Sequence, residues 1–316
     1  MAPGKTHMNI VFMGTPDFAL CSLKALLENG HRICGVYTQP DKPKGRGYEL
    51  QMSPVKAYAA EQHLPVFTPR TLRDPEVQSE LRALCPDAIV VVAFGKILPP
   101  EVLAIPPLGC INVHGSLLPL YRGAAPMQRA ILDGQKETGI TTMYMAEGLD
   151  TGDMIFQTRV PILDGDNFES IHDKLALAGA DLLIRTLQAL QDGTAPRIPQ
   201  PETGFTYAAK IEAEDCLLDF SRPARTLFNQ IRGLSPYPLA YTRTPDGRRL
   251  KIVRATVLEE TESAVPGTVT RADKNGFVIA CADASLLVEE VVPEGKGRMS
   301  AGAFVNGRKI QKGDKL

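Results

Sequence analysis

The segment from Asp87 to Ala93 constrains the fold more than any other part of the sequence, because only Ile, Val and Ala follow its first residue. A strand that is apolar on both faces must be covered on both faces, as in the parallel sheets of α/β proteins. Short apolar segments at 9–13, 32–37 and 109–114 alternate with helical patterns. The sequence therefore predicts a Rossmann-like, doubly wound, mostly parallel sheet, with ligands bound at the carboxyl ends of its strands.

The second part of the chain has a different pattern. A long amphipathic helix is predicted from Asp166 to Gly193, and the proline-rich segment 194–208 is predicted to be an extended linker. Short strands separated by Asp-Gly, Pro-Gly and Asn-Gly turns then predict a small OB-like β-barrel. We expect an α/β catalytic domain over 1–193, the linker over 194–208 and the β-barrel domain over 209–316.

Composition excludes several protein classes. The chain has 316 residues, of which 44% are hydrophobic and 22% charged, which is typical of globular proteins rather than disordered ones. The longest apolar stretch, from Ala88 to Gly95, is far shorter than the roughly 18 residues of a membrane span. No signal-peptide pattern precedes the first strand, so a cytoplasmic protein is expected. The six cysteines contain no C-x-x-C pair, so neither disulfides nor structural zinc are expected.

Charge is unevenly distributed along the chain. The net charge is −1 overall, but −3 over residues 1–210 and +2 over residues 211–316. A basic surface on the second domain would attract phosphate backbones, whereas a solvated strand face is the alternative interpretation. The basic residues that prompt this question are Arg243, Arg248, Arg249, Lys251 and Arg254.

The predicted strand 109–114 carries two polar residues at alternating positions. Its period of two places Ile111 and Val113 on one face and Asn112 and His114 on the other. Satisfied buried polar groups are one interpretation of this pair. A glycine-containing loop leaves the carboxyl end of the strand, however, where open α/β sheets bind ligands, and this favours a functional site.

A second loop, from Gly148 to Asp153, contains Asp150 between two predicted strands. Alone it is typical of a solvent-exposed turn. Together, the amide of Asn112, the imidazole of His114 and the carboxylate of Asp150 could polarise a carbonyl, stabilise an oxyanion and orient or charge the imidazole. Ser116 lies in no G-x-S-x-G motif, and no cysteine lies in an electropositive motif, so direct transfer is favoured over a covalent intermediate.

These motifs resemble the methionyl-tRNA formyltransferase family, within the 10-formyltetrahydrofolate-dependent formyltransferases. The segment N-x-H-G-S-L-L-P-x-Y-R-G-A-A-P begins at Asn112, and G-L-D-T-G-D-M begins at Gly148. Further matching motifs are G-T-P-D-F at 14–18, T-Q-P-D-K-P at 38–43 and S-P-V-K at 53–56. With the C-terminal β-domain, the resemblance covers essentially the whole chain.

The resemblance implies residue roles and substrates. Asn112, His114 and Asp150 match the catalytic trio, and 10-formyltetrahydrofolate would be the formyl donor, with no metal. The folate-contacting loop would comprise Ser116, Leu117, Leu118 and Pro119. The basic loop with Lys42, Lys44 and Arg46 is similar to the family's insertion that meets the acceptor end of methionyl initiator tRNA. Tyr48 and Glu49 replace the lysines that usually follow there. A monomer is expected.

Three alternatives compete with formylation of methionyl-tRNA. A formyltransferase acting on a nucleotide-linked amino sugar would share the N-x-H and S-L-L-P motifs. A formyltetrahydrofolate hydrolase would use the same trio to activate water. A catalytically silent tRNA- or folate-binding module would need none of the three residues. The segment from Gly123 to Arg129 and the basic second domain favour tRNA over the first two, and the intact trio argues against the third.

Overall fold

The computed structural model describes residues 7–44, 49–259 and 264–316. Their contacts form two compact units. The first contains the described residues up to Gly123, together with Thr138–Pro161 and His172–Tyr207, and the second contains Ala124–Glu137, Ile162–Ile171 and Ala208–Leu316. These units are defined by contacts within the folded chain, and the domain division at residues 193 and 208 stays a prediction.

The first part of the chain alternates strands and helices, as the apolar segments predict. The first elements are β1 (Asn9–Gly14), α1 (Asp17–Glu28), β2 (Arg32–Tyr37), β3 (Lys42–Lys44), β4 (Glu49–Gln51), α2 (Pro54–Glu61), β5 (Val66–Phe67), α3 (Pro75–Ala83), β6 (Ala88–Val92), α4 (Pro100–Leu103) and β7 (Cys110–His114). They are followed by β8 (Arg122–Gly123), α5 (Pro126–Leu132), β9 (Glu137–Tyr144), β10 (Met154–Pro161) and α6 (Phe168–Gln191).

Seven strands form the sheet of the first unit, in the order β10-β9-β7-β6-β1-β2-β5. Pairing is parallel from β7 through β6, β1 and β2 to β5, whereas β9 pairs with β7 in the antiparallel direction. The chain adds β2 and β5 on one side of β1 and then returns to add β6 on the other. The strand order therefore reverses between β1 and β6, where doubly wound sheets have their ligand crevice.

Apolar packing holds the first unit's helices against both faces of this sheet. Residues on one face, including Val11, Met13 and Ile89, form a buried core with Leu81 of α3. On the other face α6 approaches β7 closely, since a Cβ atom at Gly179 would lie 3.0 Å from Val113 Cγ1. A larger residue at position 179 would push α6 away from β7.

The second unit is built on an antiparallel sheet. Its remaining elements are β11 (Tyr207–Ala208), a 3-10 turn (Glu214–Cys216), α7 (Ala224–Gly233), β12 (Ala240–Arg243), β13 (Arg249–Leu258), β14 (Val269–Asp273), β15 (Gly276–Ala280), β16 (Ser285–Pro293), β17 (Met299–Ser300) and α8 (Ala301–Asn306). The sheet order is β12-β13-β16-β15-β14, with β17 paired to β16. Leu227 and Ile231 of α7 join the sheet's buried face in one core with Phe277.

The predicted fold class is confirmed, because a mostly parallel Rossmann-like sheet precedes a small antiparallel β-domain. One local detail differs. Gly14, Thr15 and Pro16 precede an apolar-periodic segment, a pattern that predicts Thr15 as the N-cap of the first helix and Pro16 as its first residue. In the structure α1 begins at Asp17 after Pro16. Thr15 Oγ1 instead accepts a hydrogen bond from Gln39 N at 3.3 Å and donates one to Phe94 O at 3.4 Å. Thr15 therefore connects three loops rather than capping a helix.

A search of the described residues finds no helix that is long and apolar enough to cross a membrane.

An ion pair in the second unit gives a prediction about stability. Arg129 of α5 donates two hydrogen bonds to the Asp215 carboxylate, at 2.9 and 2.7 Å, and these lower the pKa of Asp215. Because the pKa is lower in the folded state, the pair stabilises the fold above pH 3.8 and loses this effect as the pH falls through the folded value.

We therefore expect Asp215→Asn to lower the free energy of unfolding by about 1–2 kcal/mol at pH 7, and the difference from wild type to shrink below pH 3.8. Urea unfolding followed by circular dichroism measures this. Glu214→Gln, an exposed neighbour, is the matched control and should change little. A difference that grew on acidification would contradict the assignment.

Candidate active site

The active-site strand is β7, which lies between β6 and β9. Asn112 is opposite Val91 on one side and Met143 on the other, and His114 is opposite Thr141. Because Val113 faces α6, the alternation of the strand directs Asn112 and His114 to the opposite face. These are the two polar residues that the sequence analysis placed on one face.

His114 is buried, with 7% of its side chain exposed, and its ring has two neighbours. Nε2 lies 2.9 Å from the carbonyl oxygen of Tyr121, and Nδ1 lies 3.7 Å from Asp150 Oδ2. A carbonyl oxygen can only accept a hydrogen bond, so Nε2 carries a proton and donates the hydrogen bond to Tyr121 O. In the neutral imidazole, Nδ1 on the Asp150 side therefore holds the lone pair.

Asp150 lies in a turn whose backbone has the left-handed value φ 52°, which Asp and Asn tolerate better than other residues with a Cβ. Its Oδ2 accepts a hydrogen bond from the backbone N–H of Gly123 at 2.8 Å. The loop also needs glycine at 152, where a Cβ atom would lie 1.7 Å from the carbonyl oxygen of Tyr144. The structure thus brings Asp150 to His114, as the sequence analysis predicts for the trio.

The Asn112 amide completes this group of three. Its Oδ1 is buried and has no hydrogen-bond partner within the described part of the chain. A buried polar atom without a partner is costly in a folded protein. Asn112 therefore places an unsatisfied acceptor on the strand face that also carries His114.

Side chains of β9 and β10 fix the loop from Ser116 to Pro119. Thr141 Oγ1 donates to Ser116 O at 2.7 Å and accepts from Leu118 N at 3.0 Å. Gln157 Nε2 donates to Thr141 Oγ1 at 2.9 Å and to Leu118 O at 2.8 Å. The Ser116 hydroxyl is fully buried and donates to Leu120 O at 2.7 Å. The loop's backbone is thus held rigid next to His114.

Sequence reasoning missed Thr141 and Gln157 as parts of the site. It also missed Arg122 and Gln200: Arg122 Nη2 donates to Gln200 Oε1 at 2.6 Å, and Gln200 Nε2 donates to Asp150 O at 2.7 Å. Thr141 has no distinctive signal in the sequence, because β9 also contains Glu137, Thr138 and Thr142. Its full burial is visible only in the structure. Gln200 lies in the proline-rich segment, whose composition gives no periodicity from which a side-chain direction could be predicted.

The basic loop is a hairpin in which Lys42–Lys44 pairs with Glu49–Gln51. Arg46 and Tyr48 lie outside the described residues, so the predicted contacts of Lys42, Lys44 and Arg46 with tRNA stay predictions. The hairpin's base is anchored, because Asp41 Oδ2 lies 2.6 Å from Lys56 Nζ.

Most of the basic run of the second unit has intramolecular partners. Arg248 pairs with Asp246 at 3.3 Å and Arg254 with Glu289 at 3.7 Å, while Arg249 stacks over Tyr241 at 4.5 Å. Arg243, Arg249, Lys251 and Lys296 nevertheless line one pocket of about 480 Å³, together with Glu294. The pocket is strongly basic.

Cys110 is the cysteine on the active-site strand, and burial raises the pKa of its thiol to about 12. A thiol with that pKa contains very little thiolate at neutral pH, so it is a poor nucleophile. This agrees with direct transfer rather than a covalent intermediate.

Comparison with known proteins identifies the class to which this fold and site belong. The family described as "Formyl transferase" matches residues 8–187, and the family "Formyl transferase, C-terminal domain" matches residues 210–309. The chain belongs to the formyl transferase family and is a formyl-transferring enzyme.

Its relatives at high identity carry one particular name. A protein of Symbiobacterium thermophilum named methionyl-tRNA formyltransferase is 54% identical over 98% of this chain and 95% of its own. A protein of Pelotomaculum thermopropionicum with the same name is 49% identical over 97% of each chain. The resemblance to methionyl-tRNA formyltransferases is confirmed.

Solved structures share the fold at low identity. An N-formyltransferase of Helicobacter canadensis, in complex with folinic acid and dTDP-3-aminofucose, has a TM-score of 0.68 and 21% identity, covering 89% of this chain and 98% of that one. HypX of Aquifex aeolicus, in complex with tetrahydrofolic acid, has a TM-score of 0.66 and 17% identity. That match covers 98% of this chain and 51% of HypX, so this chain spans about half of it.

The Thr141 network gives a prediction. Thr141→Val keeps the side-chain volume but leaves Ser116 O and Leu118 N without their partner, so we expect unfolding to become easier by about 1–3 kcal/mol. Urea unfolding measures the loss. Thr158→Val, a half-buried position on β10, is the control. Equal losses in the two variants would show that the network has no special contribution.

Proposed function

We propose that this enzyme transfers the formyl group of 10-formyltetrahydrofolate to the α-amino group of methionyl initiator tRNA. The observation that carries the proposal is the identity of 54% over nearly the full length with a methionyl-tRNA formyltransferase. The tetrahydrofolic acid bound to HypX, which shares the fold, supports a folate-type donor. A cytoplasmic location and a monomeric state stay predictions.

The same comparisons bear on the competing substrates. The N-formyltransferase with a bound sugar nucleotide is only 21% identical, so its likeness to this chain shows a shared fold alone. No observation on the site favours the sugar enzyme or the hydrolase over formylation of methionyl-tRNA.

The attacking group in the proposed reaction needs little activation. An α-amino group has a pKa of about 7.7–8.0, so a useful fraction is already neutral at neutral pH. Its nitrogen attacks the formyl carbon, and negative charge develops on the formyl oxygen. The C–N bond to folate N10 then breaks, and the proton lost by the amine ends on N10.

The Asn112 amide stabilises the developing oxyanion in this proposal. Its Nδ2 donates to the formyl oxygen as charge develops on that oxygen. Loss of one such oxyanion donor typically costs about 2.7–4 kcal/mol of transition-state stabilisation.

His114 and Asp150 accept and transfer the proton that the attacking amine loses. Because Nε2–H is bound to Tyr121 O, the proton of the amine is assigned to Nδ1, on the side that faces Asp150. The Asp150 carboxylate stabilises the imidazolium formed in this way, in which Nδ1–H can donate to the formyl oxygen or return the proton to N10. Both routes require the carboxylate of Asp150.

Two basic surfaces are assigned to the tRNA. The hairpin with Lys42, Lys44 and Arg46 would meet the acceptor end, and the pocket with Arg243, Arg249 and Lys251 would meet the phosphate backbone. Support for the second assignment is the grouping of these cations in one pocket of the second unit.

The direct test follows tetrahydrofolate release and formylmethionine on the tRNA together. Asp150→Asn is the informative variant, because Asn also tolerates a left-handed backbone and only the charge is lost. We expect the turnover of Asp150→Asn to fall at least about a hundredfold while folate binding survives, and we expect the same of Asn112→Ala.

Three outcomes would count against this assignment. Near-normal turnover of Asp150→Asn would refute the role of the carboxylate. Folate release without tRNA would indicate the hydrolase. Release only with an amino-sugar nucleotide would indicate the sugar enzyme.

Salt dependence tests the basic hairpin. Replacing Lys42, Lys44 and Arg46 with alanine should weaken tRNA binding and reduce the slope of log affinity against log salt, since each phosphate contact contributes about 0.7–0.9 to that slope. Arg73→Ala, an exposed arginine of the first unit, is the matched control. An unchanged affinity and slope would refute the assignment.

A further inference from the structure

The backbone of the Asp150 turn is held by a residue distant in sequence. Gln200 Nε2 donates to Asp150 O at 2.7 Å and to Gly152 O at 2.9 Å. These are two carbonyls of the turn whose left-handed residue is Asp150. A single amide group thus ties together both sides of Thr151 and fixes how the turn presents the Asp150 carboxylate.

The Gln200 amide is itself oriented by Arg122. Arg122 Nε and Nη2 both donate to Gln200 Oε1, at 3.0 and 2.6 Å. A guanidinium can only donate, so Oε1 must face Arg122 and the NH2 group must face the two carbonyls. Arg122 is 6% exposed, and its guanidinium stacks on Phe205 at 4.5 Å.

The same segment also holds the other neighbour of His114. Thr206 Oγ1 accepts from Tyr121 N at 2.8 Å, and Thr206 O accepts from Arg122 N at 2.8 Å. Tyr121 O is the acceptor for His114 Nε2. Residues 200–206 therefore support both groups that contact the imidazole, Asp150 through Gln200 and Tyr121 through Thr206.

We propose that Gln200, oriented by Arg122, is a positioning residue that sets the approach of the Asp150 carboxylate to His114. This inference rests on the proposed function, because the geometry matters only if Asp150 and His114 act on the substrates. Gln200 acts through Asp150 and needs no contact with the substrates.

The test uses the full chain, 10-formyltetrahydrofolate and methionyl initiator tRNA. Gln200→Ala should lower kcat by about tenfold to a hundredfold, the effect of a small misplacement of a reacting group. The KM of each substrate should stay within about twofold. Gln188→Ala, at an exposed glutamine of α6 that hydrogen-bonds Asp192, is the matched control and should leave kcat unchanged.

A double variant separates positioning from general destabilisation. If Gln200 acts through Asp150, adding Gln200→Ala to Asp150→Asn should lower kcat by less than about twofold further, since coupled residues are not additive. A structural effect alone would multiply the two losses. That multiplication, or wild-type kcat in Gln200→Ala, would overturn the inference.

Gln200→Glu keeps the test valid if Gln200→Ala fails to fold. The glutamate still accepts from Arg122 but presents an oxygen to the carbonyls of Asp150 and Gly152, so the same loss of kcat is expected. Wild-type kcat in this variant would overturn the inference while leaving the proposed function intact. A wild-type enzyme that formylates no methionyl-tRNA would instead overturn the proposed function, and the inference with it.

Discussion

The register of β7 between β6 and β9 is the constraint on which the rest of the site depends. Hydrogen bonds on both edges hold the strand, and a slip by one residue would send every side chain to the opposite face. Asn112 and His114 would then point at α6, and Val113 at the ligand crevice. The apolar packing of Val113 against Gly179 opposes such a slip, so core packing and chemistry select the same register.

Polar satisfaction fixes the loops around this strand. Thr141 uses its one donor and both lone pairs on the loop that follows His114 and on Gln157. Gln200 places its two ends between Arg122 and the turn that contains Asp150. All donors and acceptors of these two side chains are engaged, and networks of this kind are rigid because any rotation would leave a donor or acceptor unpaired. This rigidity suits a reaction that relies on positioned donors rather than on a strong nucleophile.

Much of the fold follows from local pattern. The strand 32–37 has the predicted bounds. Most of the other predicted strands and helices begin or end within about three residues of the observed bounds. Periodicity succeeds there because the buried strands are apolar throughout. It fails for the short helices α3 and α5, whose few turns give too little signal, and for Thr15, whose hydroxyl is used by Gln39 and Phe94. The predicted N-cap was wrong because the Thr15 hydroxyl is hydrogen-bonded to residues of two distant loops.

The sequence by itself determined the α/β class, the face of β7 that carries Asn112 and His114, and the family, since all three depend on residue order and period. Only the tertiary structure decided which nitrogen of His114 faces Asp150, and that Gln200 and Thr141 belong to the site. These features depend on contacts between residues dozens of positions apart, such as the 50 between Gln200 and Asp150. Period and spacing report only neighbours along the chain, whereas a hydrogen bond depends on distance in space.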